Sequence, residues 1–216
     1  MKIKLAYPKI PDTLYCPLKQ CIAFEKYDGT NMHWVWNPKD SFIGFGTRRD
    51  RFPANWKGNL DFKQAHPELE EILFDDGIGE FLKKLDNYLT TKEKYSSANE
   101  IIIFTEFLGD NSFAGSHSAK DKKKLVLFDV EVNGKFISPE QLVEDFKDHN
   151  LAKVVFKGKF SGQLFIDVRK GRYYVKEGVV VKGLVGDEIY MAKIKTEAYM
   201  ERLKEQFTDK WKDYWE

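Results

Sequence analysis

Short runs rich in β-branched and aromatic residues recur from one end of the chain to the other, and they confine it to a sheet-based fold. Residues 21–26, 32–36, 41–47, 101–108, 125–132, 153–160, 172–176, 179–182 and 189–194 all read as strands. Helix signals are fewer. Residues 67–73 and 78–89 carry apolar side chains at helical spacing. Ser138-Pro139-Glu140-Gln141 is a capping box with proline at the first helical position, which predicts a helix to about His149. From Thr196 onward, Tyr199, Leu203, Phe207, Trp211 and Trp215 stand four apart, an apolar stripe whose ordinary use is packing on a core. The expected fold is α+β, with mostly antiparallel sheets flanked by helices. Residues 1–195 would form one domain, and 196–216 an amphipathic helix packed on it.

No apolar run approaches the length that spans a bilayer, and the opening residues MKIKLAYPKIPDT lack the apolar stretch of a secretory signal. A soluble cytoplasmic protein with no membrane partner is therefore expected, in the host cytoplasm if the source is viral. In a reducing compartment Cys16 and Cys21 read as free thiols. Lys+Arg total 35 against 34 for Asp+Glu, a formal net charge of +1. That balance argues against a protein that coats nucleic acid through a global basic field, and it leaves room for a local basic cleft. The densest charge run, Lys120-Asp121-Lys122-Lys123-Lys124, separates two apolar runs and reads as an exposed turn.

The residues that suggest chemistry begin with Glu25-Lys26-Tyr27-Asp28-Gly29-Thr30-Asn31, between two strand signals. In a strand Lys26 and Asp28 would share a face, and Gly29 lets the backbone turn or a ligand approach. A lysine is a nucleophile only as the neutral amine, a form that burial or neighbouring cations favour. Alone, this K-x-D-G tetrad fits a hairpin turn equally well. It is followed in order by Thr47-Arg48-Arg49-Asp50-Arg51, Phe104-Thr105-Glu106-Phe107-Leu108-Gly109, and Leu127-Phe128-Asp129-Val130. Lys176-Glu177-Gly178-Val179-Val180-Val181-Lys182 and Ala192-Lys193-Ile194-Lys195 complete the series. Lys193 and Lys195 alternate along a strand, so their ammonium groups share a face with Ile194 opposite.

Six motifs in this order, from Phe24 to Lys195, resemble the covalent nucleotidyltransferase superfamily of DNA ligases, RNA ligases and mRNA capping enzymes. Within it the chain looks most like RNA ligases of the phage RNA ligase 2 type. Gly29-Thr30-Asn31, Glu106-Phe107-Leu108-Gly109 and Phe128-Asp129-Val130 carry that likeness. The resemblance implies an ATP-dependent ligase that joins a 3′-hydroxyl to a 5′-phosphate through a lysyl-AMP enzyme intermediate.

Carried over by position, Lys26 would attack the α-phosphate of ATP. Lys193 and Lys195 would clamp phosphate and favour the neutral amine of Lys26. Glu106 would accept hydrogen bonds from the ribose hydroxyls, and Phe128 would stack on adenine. Glu177, with Asp28, would hold Mg²⁺ or Mn²⁺. Glu25 would contact the nucleotide, Asn31 the nucleotide or the terminal ribose, and Arg48 the nucleotide or the 3′ end of the acceptor strand, with Arg49 standing in for Arg48 if the register differs by one. Lys182 would join them, although its spacing from Glu177 puts it on the opposite face of a regular strand. His33, His66, His117 and His149 lack metal-ligand spacing.

Asp28 departs from the RNA ligase 2 pattern, which often has histidine there, and K-x-D-G is shared with DNA ligases. A DNA nick ligase therefore stays open. An mRNA guanylyltransferase or a nucleotide- or RNA-binding module without chemistry are further alternatives. The segment after Lys195 reads as one helix and has no room for the OB-fold barrel that DNA ligases and capping enzymes usually carry. The expectation is a near-minimal catalytic unit acting on RNA ends, nicked or single-stranded, that binds them weakly or with the help of an accessory protein.

Overall fold

The computed structural model describes residues 6–110, 118 and 120–208. In chain order the strands and helices begin with β1 (Gln20–Lys26), β2 (Thr30–Asn37), β3 (Ser41–Thr47), β4 (Phe52–Pro53) and α1 (Trp56–Ala65). A 3-10 helix (Pro67–Leu73), α2 (Asp76–Thr91), α3 (Glu93–Ser96), β5 (Ile101–Leu108), β6 (Lys124–Val132) and β7 (Lys135–Phe136) follow. The rest are α4 (Pro139–Phe146), β8 (Val154–Lys159), α5 (Gly162–Arg169), β9 (Gly178–Val185), β10 (Glu188–Lys195) and α6 (Glu197–Phe207). They form two compact units, one of residues 6–7, 28–137 and 141–151, the other of residues 8–27, 138–140 and 152–208. The division runs inside the segment 1–195.

The first unit is built on a six-stranded antiparallel sheet in the order β4-β3-β2-β5-β6-β7. Trp34 and Phe45 pair across β2 and β3 on one face, with ring centroids 6.0 Å apart. Phe62 of α1 meets Phe45 at 5.2 Å and Phe52 at 5.6 Å, so the helix is seated by an aromatic cluster. Burying each such ring contributes roughly 1.5–3 kcal/mol. The indole of Trp36 donates to Asp86 of α2 at 2.7 Å, which fixes the second helix to the same sheet. Both helices start on side-chain caps: Asn55 accepts from the Gly58 amide, and Asp75 from that of Ile78.

The second unit is a four-stranded antiparallel sheet in the order β10-β9-β1-β8. Cys21, Ala23, Val179, Val181, Ala192 and Ile194 line one face and pack against Leu164 and Val168 of α5. Burial pushes the Cys21 thiol up to about 11, and both cysteines are free thiols. Thr196 caps α6, whose Tyr199, Met200 and Leu203 are buried with Phe207 packed beside them.

Eight of the nine expected strands are present; 172–176 is not one of them. There the chain turns back out of α5 instead: Gly171 and Tyr174 have φ of 70° and 55°, and the Tyr174 amide donates to the Gly171 carbonyl. The stripe on α6 holds through Phe207, while Trp211, Trp215 and His117 lie outside the described residues. No helix among the described residues is long and apolar enough to cross a membrane.

Candidate active site

Lys26 is the last residue of β1, paired with Gly178 on β9, which pairs in turn with Lys195 on β10. Strand alternation then gives Lys26, Lys182, Lys193 and Lys195 one face, together with Phe24 and Val180, while the apolar cluster takes the other. Glu177, immediately before β9 and 2% exposed, reaches two of these lysines. Its Oε2 accepts from Lys26 Nζ at 2.9 Å, and its Oε1 stands 3.5 Å from Lys195 Nζ. The backbone around Glu177 is fixed by Thr196, whose amide donates to the Glu177 carbonyl at 2.9 Å and whose hydroxyl donates to that of Lys176 at 3.0 Å.

Gly178 makes this corner: a Cβ there would lie 2.0 Å from the Ile194 carbonyl oxygen. The same corner explains Lys182. Glu177 precedes the strand, so counting alternation from it puts Lys182 on the wrong side; counted from Lys26, Lys182 falls on the lysine face. It is 3% exposed, with its ammonium 5.3 Å from the Phe24 ring centroid. Lys195 likewise lies 5.0 Å from the ring of Tyr199. Beside the β10 edge a cavity of about 690 Å³ is lined by Phe160, Phe165, Arg169, Lys193 and Lys195 among others.

The first unit carries its own polar face. Asn31 pairs with Glu106 across β2 and β5, and one row further His33, Phe104 and Asp129 stand in line across β2, β5 and β6. Glu106 Oε1 accepts from the Gly29 amide at 3.0 Å. Gly29 lies so close to β5 that a Cβ would meet the Phe107 carbonyl oxygen at 2.4 Å. Asn31 Oδ1 is buried and has no hydrogen-bond partner among the described residues. Register on β6 slips between Leu127 and Asp129, so Phe128 is the extra residue of a bulge. Its ring, half-buried, packs edge-on to Tyr7 at 5.0 Å.

Tyr7 donates to Asp129 Oδ2 at 2.8 Å, and burial, then the Asp129 charge, hold its phenol protonated well above the usual range. Arg48 Nε donates to the Tyr7 carbonyl at 3.2 Å. Two histidines brace the arginine segment. His33 Nδ1 lies 3.0 Å from the Thr47 carbonyl, and Arg51 Nε donates to His33 Nε2 at 3.1 Å. This pattern requires the neutral ring with its proton on Nδ1. Burial, reinforced by the Arg51 charge, lowers His33 to about 4. His66 Nε2 sits 2.6 Å from Asp50 Oδ2, and Asp50 Oδ1 accepts from the amide and hydroxyl of Thr47.

Of the residues singled out in the sequence, one unit thus gathers Lys26, Glu177, Lys182, Lys193 and Lys195, and the other gathers Asn31, Arg48, Glu106 and Phe128. Glu25 does not join Lys26: alternation turns it to the other face, beside Tyr27, whose phenol burial and then Glu25 push up to about 12. Nor do Lys26 and Asp28 share a strand face, because β1 ends at Lys26 and β2 begins at Thr30. Sequence reasoning passed over Tyr7; His33, Arg51 and Asp129 were in view but were not given the contacts they make here. For His33 the signal was there in the parity it shares with Asn31 along one strand; Asp129 joins that row only through the pairing of β5 with β6.

Among the described residues no three His, Cys, Asp or Glu side chains gather as a metal cage. A carboxylate such as Glu177 is the hard oxygen ligand that Mg²⁺ takes when phosphate oxygens and water complete its shell. The donor set therefore fits a divalent ion that arrives with a polyphosphate.

The family described as RNA ligase matches residues 19–195. No curated protein matches the chain. Among solved structures, an RNA ligase of Naegleria gruberi with PPi superposes with a TM-score of 0.58 at 16% identity, covering 95% of this chain and 60% of that one. A mutant of the same ligase with ATP and Mn gives a TM-score of 0.57 at 15% identity, covering 94% and 59%. At such identities the likeness is one of fold: antiparallel sheets with flanking helices. The chain spans about 60% of the length of that ligase.

Proposed function

The chain belongs to the RNA ligase family, and from that premise we propose that it is an ATP-dependent RNA ligase of the phage RNA ligase 2 type, working through AMP bound covalently to Lys26. The observation that carries this reading is the buried Glu177 carboxylate held between Lys26 and Lys195. It joins the lysine that would react to a second lysine suited to phosphate.

In the first step the Lys26 amine attacks the α-phosphorus of ATP. A nitrogen–phosphorus bond forms, the α–β anhydride bond breaks and pyrophosphate leaves. The amine must first lose a proton, and Glu177 Oε2, already hydrogen-bonded to Lys26, is the atom positioned to take it. A 5′-phosphate oxygen of RNA then attacks the bound phosphorus, the nitrogen–phosphorus bond breaks, and Lys26 is regenerated. Finally a 3′-hydroxyl oxygen attacks the 5′-phosphorus, the phosphodiester forms and AMP leaves. Every step is a phosphoryl or nucleotidyl transfer, so the protein contributes mainly positioning and charge neutralisation.

Lys182, Lys193 and Lys195 supply that charge on the face of Lys26. Glu106 accepts from the ribose hydroxyls, Phe128 stacks on adenine, Asn31 Oδ1 accepts from a nucleotide or terminal-ribose hydroxyl, and Arg48 contacts the nucleotide or the 3′ end. Glu177 and Asp28 are the carboxylates that would hold Mg²⁺ or Mn²⁺, which when bound neutralises charge on the phosphate oxygens. Asp28 in a K-x-D-G setting favours one second reading, sealing of nicks in DNA.

The test is incubation with α-labelled ATP or GTP, denaturing electrophoresis, and then ligation of nicked and single-stranded RNA and DNA. Label from ATP together with sealed RNA is expected. Label from GTP alone, or none, sinks the proposal, and sealing of DNA in preference to RNA moves the protein to the second reading.

A further inference from the structure

Charge is sorted across the four-stranded sheet of the second unit. Its strands contain six lysines: Lys26 on β1, Lys157 and Lys159 on β8, Lys182 on β9, Lys193 and Lys195 on β10. Register and alternation put all six on one face. Lys157 pairs with Ile22, and Ile22 with Lys182, so these two lysines flank the same residue of β1. Lys159 pairs with Gln20, two residues further along the same side. The strands hold two acidic residues, Glu25 and Glu188, and alternation sends both to the other face. Four of the lysines already have a place in the reaction proposed above. Lys157 and Lys159 do not.

These two are solvent-exposed on the edge strand β8, and no carboxylate among the described residues pairs with either. Along β1 their rows lie four and six residues from Lys26, roughly 13 and 20 Å at the rise of a strand. Lys157 and Lys159 themselves are about 7 Å apart on the same side. A strip of cations that starts at the nucleophile and runs out to an exposed edge is complementary to a chain of phosphates. We propose that Lys157 and Lys159 form a docking strip for the backbone phosphates of the RNA substrate, leading away from the end that reacts at Lys26. The strip rests on the ligase reading for the identity of its polyanion. It reads phosphate rather than base, so it binds without sequence preference.

The basic residues legible in the sequence alone, Arg48, Arg49, Arg51 and the run from Lys120 to Lys124, are weaker candidates. Lys123 is engaged by Glu71, and Arg51 by His33. Edge lysines also deter pairing with other chains, and on that reading RNA binding is indifferent to them.

The experiment compares three full-length proteins: the unmodified chain, the double variant Lys157→Gln with Lys159→Gln, and a charge-matched control, Lys39→Gln with Lys147→Gln, at exposed lysines outside this sheet. Binding to a labelled 5′-phosphorylated RNA strand is measured over a salt series, and labelling by ATP is measured in parallel. The double variant is expected to bind more weakly, with its log–log salt slope shallower by about 1.4, the loss of two single-strand phosphate contacts. The control keeps the original slope, and ATP labelling is the same in all three. An unchanged slope in the double variant, or an equal loss in the control, overturns the strip. Absence of ATP labelling in the unmodified protein counts against the ligase reaction instead, and leaves the salt slopes to decide the strip.

Discussion

Lys26 Nζ donates to Glu177 Oε2 at 2.9 Å across 151 residues of sequence. Glu177 keeps a second cation, Lys195 at 3.5 Å, when Lys26 is removed. Lys26→Ala should therefore leave the carboxylate partnered and the fold intact while abolishing covalent label from ATP. Circular dichroism and the labelling gel together check this. Label that persists on another lysine removes Lys26 from its assigned role.

The reverse truncation is expected to be costly. Glu177→Ala removes the carboxylate that stands 3.5 Å from Lys195, whose side chain is 4% exposed. Breaking a buried pair from one side costs on the order of 3–5 kcal/mol. Glu177→Gln keeps the volume and an acceptor and should cost less, yet should lose labelling as fully as Glu177→Ala. Urea unfolding of the two variants, beside the labelling gel, separates the structural part from the chemical one. Equal stability of Glu177→Ala and the parent would contradict the pairing.

Asn31 makes an opposite-signed prediction. Its Oδ1 is buried without a hydrogen-bond partner among the described residues, which is a cost in the ligand-free protein. Asn31→Ala should leave stability unchanged or slightly raised while weakening ATP or the terminal ribose by about 1–3 kcal/mol, roughly tenfold to hundredfold. Calorimetric ATP binding and a KM for nicked RNA would show which ligand is affected. An unaltered affinity for both would leave the orphan oxygen without a function.

His33 should make stability depend on acid. Its folded value of about 4 lies below the ordinary 6.5, so the unfolded chain binds the extra proton between those limits. The neutral ring thus contributes stability that is fully present above about pH 6.5 and is lost as pH falls through 4, on the order of 3 kcal/mol in all. His33→Gln retains an acceptor for Arg51 and does not titrate. Its stability curve should be flatter across that window by up to about 1.4 kcal/mol per pH unit. Parallel curves for the two proteins would rule out the neutral, buried ring.

Gly178→Ala tests the corner that brings β9 and β10 together. The added methyl would sit 2.0 Å from the Ile194 carbonyl oxygen, so the strands must part. Overpacking of this kind costs about 1–3 kcal/mol or more. Because Ile194 lies between Lys193 and Lys195, labelling should fall as well. A thermal melt superimposable on that of the parent would show that the strands accommodate the methyl.

Most of the strand content was legible because β-branched and aromatic runs survive any choice of topology. The pairing was not, since nothing local tells β1 to lie between β9 and β8. The turn at Arg172–Tyr174 misled for a related reason: Tyr173, Tyr174 and Val175 have strand composition, but the hydrogen bonds closing α5 take precedence. The helix α5 itself was hidden by Gly162, although Ser161, its N-cap, was visible one residue before. Within the candidate site, Lys193 and Lys195 could be set on one face from alternation alone. Lys182 could not, because the count began at Glu177, outside the strand. Asn31 and Glu106 are opposite each other only once β2 and β5 are known to pair.

Strand β1 has hydrogen-bonded neighbours on both sides from Ile22 to Phe24, and Lys26 follows two residues later. Amide protons in that stretch should exchange only when the whole sheet opens, making it one of the slowest segments of the chain to take up deuterium. Lys26, the proposed nucleophile, follows this doubly paired stretch and is itself held on one side, by Gly178 of β9. Within this sheet, the travel of its nitrogen between a carboxylate and a phosphorus atom would come mainly from rotation about the bonds of one lysine side chain.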